Sequence, residues 1–397
     1  MARFRKFGGL LFATALVASA CSSGGTATTA PAASQAASQA AASAAPSVAG
    51  KKEYNIALIR WEAGDIFFNG VQYGEEQAIK DIEAANGVKI NFKVVAANDA
   101  AKQLDGLRAL MAQGIDGVSL VPWQGPTMTD VIKELLSKNI PVVVHNIAAP
   151  DSAAPFVAQD NTEAGALAGQ AILKDLEDSR GADWGKDGGV ILMLRGDINN
   201  SFDAERAAGY HSVLDQLKTK FPNVQIIERA NLGYQAEPAR TAVGDAITRY
   251  GIDKILAIGS VDGTMAVGGA IPAIQAAGGN VAPGSPNRIP VTSMDCSKPE
   301  LDSIARNELA HCSEQPAVVE GILVQTLLWD MMSHGTITPS KGVENVADWN
   351  GKPWAPVTIA SNPTFPGPWY KTKPFSVPET VPVESDFHWA NAGVGGN

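Results

Sequence analysis

The chain has 397 residues, 45% of them hydrophobic, and a mean hydropathy of −0.02; this size exceeds what one hydrophobic core usually supports, so two domains are expected. Its 31 basic and 41 acidic residues give a net charge of −10. This balance argues against a nucleic-acid partner, because phosphate contacts need a basic surface, and it suits a neutral solute better.

The N-terminus has the features of an export signal. Basic residues precede a short apolar run, Gly8–Ala20, which is too short to remain as a membrane span. We therefore predict a signal peptide over residues 1–20. The small residues before Cys21 resemble a lipoprotein signal, in which that cysteine becomes the lipidated first residue. Ala18 departs from this pattern, because a branched aliphatic residue is usual at its position, and an ordinary secreted chain is the alternative.

Residues 21–52 consist almost entirely of Ala, Ser, Gly, Thr and Pro, with no charge before Lys51. Such a composition offers nothing to bury, so this stretch is predicted to be a flexible tether. As a random coil it would reach about 30 Å. That reach lets a lipid-anchored domain sample the membrane surface.

From Glu53 the pattern alternates between apolar strands and amphipathic helices, which is typical of a parallel sheet covered on both faces. The predicted elements are 54–59, 70–84, 88–96, 101–113, 118–122, 127–137 and 141–145. A further apolar strand ends at Asp160-Asn161, two good N-cap residues, where a helix begins with a stripe of Ala and Gly. The stripe predicts that another element packs very close to it. We interpret this joint as a crossing between two lobes.

Beyond the joint the alternation restarts, with elements at 190–194, 204–220, 224–230, 238–250, 254–258, 264–277 and 289–294 and a helix at 317–333. The sequence therefore predicts an α/β fold of two doubly wound, Rossmann-like parallel-sheet lobes joined by a multi-strand hinge. The predicted lobes are 53–159 plus 316–353, and 160–315 plus part of 354–397. The tail from Trp349 is rich in proline, so we expect it to wrap over the lobes irregularly, without forming a central strand.

Ligands of open parallel sheets bind beyond the carboxyl ends of the strands. The residues that follow the predicted strands combine aromatic rings, carboxylates, amides and an arginine. A sugar has apolar C–H faces that pack on aromatic rings and hydroxyls that donate and accept, so this mixture matches a polyol. The candidate ligand-binding residues are Trp61, Asp65, Phe67, Phe68, Trp123, Asn146, Asp203, Arg206, Tyr234, Asp262, Asp295 and Gln315.

The order and spacing of several short motifs resemble the type I periplasmic binding proteins of sugar ABC transporters, the ribose-, xylose- and galactose-binding group. The matching pieces include Asp65-Ile-Phe-Phe68, Gly114-Ile-Asp-Gly-Val118, Asp160-Asn161, Arg206-Ala-Ala-Gly-Tyr210, Met294-Asp295 and Gln315-Pro316. The resemblance implies a monomer without cofactor or metal that closes on a sugar and presents it to a membrane permease. Closure is expected about crossings near Gln159-Asp160, Gln315-Pro316 and roughly Trp354.

The resemblance also implies roles for single residues. Phe67 and Phe68 resemble the pair that lies against the sugar ring, and Tyr234 the aromatic residue that closes its other face. Asp295 resembles the carboxylate that binds ring hydroxyls, and Gln315 the amide on the hinge side.

Two departures from the family pattern leave the identity of the sugar open. Asn146-Ile147 stands where family members often have Asp-Arg, and Trp61 and Trp123 add aromatic area. A pyranose is therefore favoured over a smaller furanose.

Several candidates have alternative, purely structural roles. Phe67 or Phe68 could be core residues beneath the first helix. Arg206 could pair with Asp203, which lies three residues earlier on the same helical face. Asp262 could only cap a helix.

The two remaining cysteines, Cys296 and Cys312, can stay paired outside the cell, so a disulfide is expected. The alternative is two buried thiols. Metal binding is not expected, because only His311 lies at a ligand-like spacing from them.

Catalysis is not expected, because the chain has no Gly-x-Ser-x-Gly elbow, Walker loop or Gly-x-Gly-x-x-Gly turn. His145 follows a strand and could act as a base, but a polar role in the cleft is favoured. The export signal and the lack of a helix-turn-helix before the first strand exclude a DNA-binding repressor. A tethered sensor that presents a sugar or a furanosyl signal molecule to a membrane signalling receptor remains the alternative to transport.

Overall fold

The computed structural model describes residues 50–61, 64–344, 357–362 and 365–392. The predicted signal peptide, Cys21 and nearly all of the predicted tether lie outside these residues. Within them, two sheets of mainly parallel strands are flanked by helices and form two lobes. This confirms the predicted α/β fold class.

The strands of the described residues are β1 Glu53–Arg60, β2 Lys89–Ala96, β3 Gly117–Leu120, β4 Val142–His145, β5 Phe156–Gln159, β6 Gly189–Leu194, β7 Val224–Arg229, β8 Ile255–Ser260, β9 Val291–Asp295, β10 His311–Glu314, β11 Thr358–Asn362, β12 Phe365–Thr372 and β13 Phe375–Val377. The α-helices are α1 Ile66–Asn86, α2 Ala100–Ala112, α3 Gly125–Ser137, α4 Asn161–Arg180, α5 Ser201–Leu214, α6 Leu217–Lys220, α7 Ala236–Tyr250, α8 Ile271–Ala276, α9 Lys298–Ala305 and α10 Ala317–His334. A π-helical segment, Met265–Ala270, leads directly into α8.

The first lobe is built on a seven-stranded sheet with the order β11-β12-β5-β4-β3-β1-β2. Its central strands β3 and β4 are buried along their whole length. This burial explains why Val and Leu predominate in them, because helices cover both faces of a parallel sheet.

The second lobe is built on a six-stranded sheet with the order β13-β10-β9-β8-β6-β7. Its strands are parallel except for β13, which pairs antiparallel to β10. Cys296, just after β9, and Cys312 in β10 form a disulfide in the structure, with their Cα atoms 5.5 Å apart.

Helix α10 is the longest apolar segment of the first lobe, and its side chains are buried along most of its length. It packs against α1 and against β3, β4 and β5. Among the helices of the described residues, none combines the length and apolar composition that a membrane crossing requires.

The small-residue stripe of α4 packs against α5. A Cβ atom added to Gly165 would lie only 2.0 Å from the carbonyl oxygen of Arg206, and one added to Gly209 would lie 2.1 Å from the carbonyl oxygen of Thr162. The two backbones therefore touch, as the stripe predicts. This contact fixes the backbone position of Arg206.

The proline-rich tail corrects one prediction. Residues of the tail form β12, which pairs with β11 on one side and with β5 on the other, so the expectation that it forms no central strand was wrong. Pro366 and Pro368 precede the four residues that pair with β5, and this position spares the ladder their missing N–H groups. The tail segment up to Thr372 therefore completes the first lobe, whereas the prediction gave 53–159 plus 316–353 to that lobe and part of 354–397 to the second.

Within the described residues, the chain passes between the two sheets three times. The first two crossings, β5 to α4 and β10 to α10, lie at Gln159-Asp160 and Gln315-Pro316, where the sequence predicts them. The third runs from β12 to β13 through Lys373-Pro374. The prediction placed it near Trp354, which lies outside the described residues.

Candidate functional site

A cavity of about 520 Å³ lies between the two lobes at the carboxyl ends of the strands, a volume typical of small-molecule sites. Its lining includes ten of the residues proposed from sequence: Trp61, Asp65, Phe67, Phe68, Trp123, Asn146, Arg206, Tyr234, Asp262 and Asp295. Both lobes contribute to this lining. The site is therefore complete only when the lobes come together.

Aromatic rings from both lobes form one wall of the cavity. Trp61, just after β1, lies with its ring centroid 4.4 Å from that of Trp123 and 5.4 Å from that of Phe68, all in the first lobe. The same ring approaches Tyr234 at 5.7 Å and Phe202 at 6.5 Å, both in the second lobe. These contacts bring the two lobes together around an apolar surface.

Phe67 and Phe68 are core residues that also line the cavity. Each is largely buried, with 9% and 4% of its surface exposed, and each belongs to a hydrophobic core cluster. Each also lines the cavity. The core interpretation and the ligand-facing interpretation therefore describe the same side chains.

Arg206 lies at the centre of the polar wall and is buried. Its Nε donates to Asn161, its Nη1 to the carbonyl oxygen of Val261, and its Nη2 to Asp295 Oδ1 at 2.8 Å and to Gln315 Oε1 at 2.6 Å. These bonds hold the guanidinium in one orientation. Most of its donors are engaged by protein groups, so Arg206 supports the site as much as it offers donors to a ligand.

Among the described residues, four acidic side chains line the cavity: Asp65, Asp262, Asp295 and Glu300. Asp65 comes from the first lobe, where one oxygen accepts the Phe68 N–H and caps α1. Asp262 and Asp295 come from the second lobe, and in each Oδ1 is bonded within the protein, to the Met265 N–H and to Arg206 respectively. Asp262 therefore serves as the helix cap considered from sequence and also lines the cavity.

Close packing of these acids perturbs their titration. Burial raises the pKa of Asp65 to about 6 and that of Asp262 to about 8, and the charge of Asp295 adds to both shifts. Burial also raises the pKa of Asp295, where Arg206 opposes the effect, and that of Glu300. The cleft therefore holds an excess of acidic groups whose ionisation in the folded protein is unfavourable.

The unfavourable ionisation of these acids makes the stability of the fold depend on pH, and one substitution should remove the contribution of Asp262. Because the pKa of Asp262 is about 8 in the folded state and 3.8 as a model group, ionisation destabilises the fold increasingly from pH 4 to 8. Asp262→Asn keeps the acceptor for Met265 N–H and removes the charge. We expect the ligand-free variant to melt at a higher temperature than the wild type at pH 8 and at the same temperature at pH 4, by scanning calorimetry.

The control for this experiment is Asp105→Asn, which removes a carboxylate from an exposed position on α2. It should leave the pH dependence of the melting temperature unchanged. If the melting temperature of Asp262→Asn depends on pH in the same way as that of the wild type, ionisation of Asp262 is not the cause of the destabilisation.

Three of the cavity residues share an unusual backbone conformation. Asn146, Tyr234 and Asp295 have φ values of 62°, 57° and 84°. Positive φ is uncommon outside glycine, and for a bulky residue such as tyrosine it is an outlier of the kind that clusters at functional sites. At these three positions an energetically unfavourable backbone conformation accompanies a side chain that lines the cleft.

Two proposed ligand contacts do not reach the cavity. Asp203 is fully buried and accepts from Arg195 Nε and the Gly196 N–H, each at 2.7 Å. It stabilises the loop after β6, and the suggested pairing with Arg206 is replaced by this bond to Arg195. Gln315 is also buried, and it contacts Arg206 from behind.

Sequence reasoning missed several lining residues, among them Asn98, Phe202, Gln235 and Glu300. Asn98 follows β2 and Gln235 follows β7. The rule that ligands bind beyond the carboxyl ends of the strands would have found both residues had it been applied to every strand. Phe202 stacks under the Arg206 guanidinium at 5.0 Å. Glu300 forms a capping box with Ser297, a pattern visible as Ser-x-x-Glu in the sequence.

No group of three or more His, Cys, Asp or Glu side chains within the described ranges is arranged to hold a metal ion. The buried His145 lies beside the site and contacts Glu320 through Nε2. Its neighbour Asn146 lines the cavity, but His145 itself does not.

The family model of the periplasmic binding protein domain matches residues 56–336 of this chain. The ribose import binding protein RbsB of Bacillus subtilis is 26% identical over 293 residues, which are 73% of this chain and 85% of that protein. A xylitol-binding protein of Mycolicibacterium smegmatis is 25% identical over 240 residues, 59% of this chain and 61% of that protein.

Solved structures show the same fold. A galactofuranose binding protein aligns with a TM-score of 0.64 and 17% identity, over 86% of this chain and 100% of the other. A carbohydrate transporter solute binding protein of Agrobacterium radiobacter, in complex with D-arabinose, aligns with a TM-score of 0.64 and 19% identity, over 87% and 99%. The match of the family model over residues 56–336 shows that the chain belongs to the periplasmic binding proteins, a family of extracytoplasmic substrate-binding proteins, and the solved structures show that it has their type I fold.

Proposed function

We propose that the protein captures an uncharged monosaccharide or polyol between its lobes and delivers it to the permease of an ABC transporter. The observation that carries this proposal is the pairing of two surfaces in one cavity: aromatic rings of both lobes around Trp61, and carboxylate oxygens of Asp65, Asp262 and Asp295. Rings contact the C–H faces of a sugar and carboxylates accept its hydroxyls.

The named ligands of the relatives support this class. They include ribose and xylitol for two related proteins and D-arabinose for a protein of the same fold. All are small polyhydroxy compounds without charge. The wide aromatic surface and the loss of a charged pair at Asn146-Ile147 favour a pyranose among them.

Binding and closure are expected to be one process. The ligand contacts groups of both lobes, so it binds the closed arrangement better and shifts the population toward it. A buried polar group left without a partner costs about 1 to 3 kcal/mol, so each carboxylate discriminates against an analogue that lacks its hydroxyl. The permease would then recognise the closed shape.

We further propose that Cys21 carries a lipid and that residues 21–52 tether the binding lobes to the membrane. The apolar run and the small residues before the cysteine support this part of the proposal. A Cys21→Ser variant should then leave the membrane fraction, whereas the unaltered chain should partition into detergent.

The proposed function is tested with a panel of D-ribose, D-xylose, L-arabinose, D-galactose, xylitol and myo-inositol. We expect at least one member to bind with a micromolar dissociation constant, corresponding to about 8 kcal/mol. At a hundredfold excess over that constant it should stabilise the fold by about 2.7 kcal/mol, measured as an increase in melting temperature. Calorimetry gives the affinity, and small-angle scattering should show a more compact particle with the bound compound.

Failure of every panel member to bind, or chemical conversion of any of them, would refute the proposal. The tethered sensor makes the same prediction for binding. It differs in its partner, so co-purification of the unaltered chain with a signalling receptor instead of a permease would identify it.

A further inference from the structure

The buried carboxylate of Glu320, in the first turn of α10, bonds to three other parts of the first lobe and hinge. Its Oε2 lies 2.9 Å from Gln315 Nε2 and 2.9 Å from His145 Nε2, and its Oε1 accepts from Thr372 Oγ1 at 2.7 Å. The side chain is completely buried. A buried carboxylate requires such partners, because an uncompensated charge in the interior is costly.

These bonds connect all three crossings between the lobes. Gln315 belongs to the second crossing, and Thr372 is the last residue before the third. Gln159, at the first crossing, donates to Gln315 Oε1 at 3.3 Å. Glu320 is therefore the point at which the three connecting segments are joined by side chains.

The same network reaches the cavity. Gln315 Oε1 accepts from Arg206 Nη2, which also donates to Asp295. Arg206 and Asp295 belong to the second lobe, whereas Glu320 belongs to the first. A chain of three hydrogen bonds, from Glu320 through Gln315 and Arg206 to Asp295, thus runs from the hinge to the surface that faces the ligand.

Gln315 depends on Glu320 for its orientation. Its Oε1 can accept from Arg206 only while its Nε2 points away, toward an acceptor, and Glu320 Oε2 is that acceptor. The aspartate at the far end also responds to Glu320. The pKa of Asp295 is raised mainly by burial, and the charge of Glu320 adds to the rise.

We propose that Glu320 is the positioning residue of the hinge: it orients Gln315, and through it Arg206, so that closure of the lobes and occupation of the site are coupled. This role rests on the proposed function, because it assigns how the site responds to a sugar. Glu320 itself does not line the cavity.

The test compares Glu320→Gln with Glu75→Gln. Glu75 is an equally buried glutamate of the first lobe, bonded to Ser119 Oγ and Gln325 Nε2, and none of these residues belongs to a crossing. The same chemical change is thus made inside and outside the network. Both variants are titrated with each panel compound that the wild-type chain binds.

We expect Glu320→Gln to weaken binding about tenfold, which corresponds to about 1.4 kcal/mol, and to reduce the compaction seen by scattering. Glu75→Gln should lower the melting temperature and leave the affinity within twofold of the wild type. Equal affinity losses in the two variants, or no loss in Glu320→Gln, would overturn the proposal.

A pH profile separates positioning from mere stability. Ionised Asp295 is the form that accepts hydroxyls, so binding should fall as the solution is acidified. Asp295 faces Arg206, Asp65, Asp262, Glu300 and Glu320. Removing the charge of Glu320 lowers the pKa of Asp295, so the acid limb of the affinity profile should move to lower pH. Glu75→Gln should not move it.

Should Glu320→Gln not fold, Thr372→Val tests the same network from the third crossing. It removes the hydroxyl that donates to Glu320 Oε1, whereas Thr372→Ser keeps it. We expect about a threefold loss of affinity for valine and none for serine, since a single neutral hydrogen bond is weaker than the full network. Identical affinities for the two variants would refute the role of Glu320. If the wild-type chain binds no panel compound, the proposed function fails first and separately.

Discussion

Replacement of Asp295 by alanine is expected to weaken carbohydrate binding on the order of 100-fold, because truncating one partner of a buried, hydrogen-bonded charge pair costs about 2 to 5 kcal/mol. The substitution removes the acceptor for ligand hydroxyls and also leaves Arg206 without its 2.8 Å partner. Asp295→Asn retains an acceptor and tolerates the positive φ of this position. It should show a smaller loss, and titration calorimetry measures both.

The matched control is Asp175→Ala, in the same lobe. Asp175 pairs with Arg288 at 2.7 Å and has 14% of its side chain exposed, compared with 13% for Asp295. It does not line the cavity. Asp175→Ala should lower the stability of the fold and leave the affinity for the carbohydrate unchanged. An Asp295→Ala variant that binds within threefold of the wild type would rule out this carboxylate as a ligand contact.

Gly165→Ala is expected to have the largest effect on stability. The new methyl group would lie 2.0 Å from the carbonyl oxygen of Arg206 and 3.0 Å from Gly209 Cα, so α4 and α5 must move apart. Overpacking typically costs about 1 to 3 kcal/mol, and contact with backbone leaves little room to relax. At the upper end of this range, an unfolding entropy of about 2.1 cal/mol/K per residue gives a fall in melting temperature of about 4 °C for a chain of this length. We also expect weaker carbohydrate binding, because Arg206 moves with α5.

Gly244→Ala in α7 is the control, because a Cβ atom there meets nothing within 4 Å. In an open helical position alanine should be neutral or stabilise by about 0.5 to 1 kcal/mol. If Gly165→Ala melted at the wild-type temperature, the close approach of α4 and α5 would be disproved.

The sequence predicts most of the lobes because their strands are buried on both faces. Runs such as the three valines that open β4, 142–144, are apolar, and the helices between the strands have one apolar face, so the alternation alone indicates parallel sheets. The strand-end rule then leads to Trp61, Asp262 and Asp295, which depend only on where a strand stops.

Features set by distant contacts were not predictable in this way. β10 has the sequence His-Cys-Ser-Glu and no apolar pattern, and it is a strand because β9 and β13 pair with it on its two sides. Asp203 lies outside the cavity lining and bonds to Arg195, which precedes the helix, so no local spacing reveals their bond. The sequence predicts Gln315 as a ligand contact, whereas in the structure it lies behind Arg206 and does not line the cavity.

The order in which the chain is made bears on how the first sheet is completed. Trp369 in β12 donates through Nε1 to the carbonyl oxygen of Ala158 in β5, a contact between residues 211 positions apart. When the chain emerges N-terminus first, β5 keeps an open edge until almost the whole protein has been released, whereas β6 to β9 are all available earlier. An open edge of this kind can pair with other chains. The second sheet also waits for the tail, because β13 follows β12 in the chain and covers the edge of β10. Shortening the C-terminus would therefore leave an aggregation-prone border on both lobes.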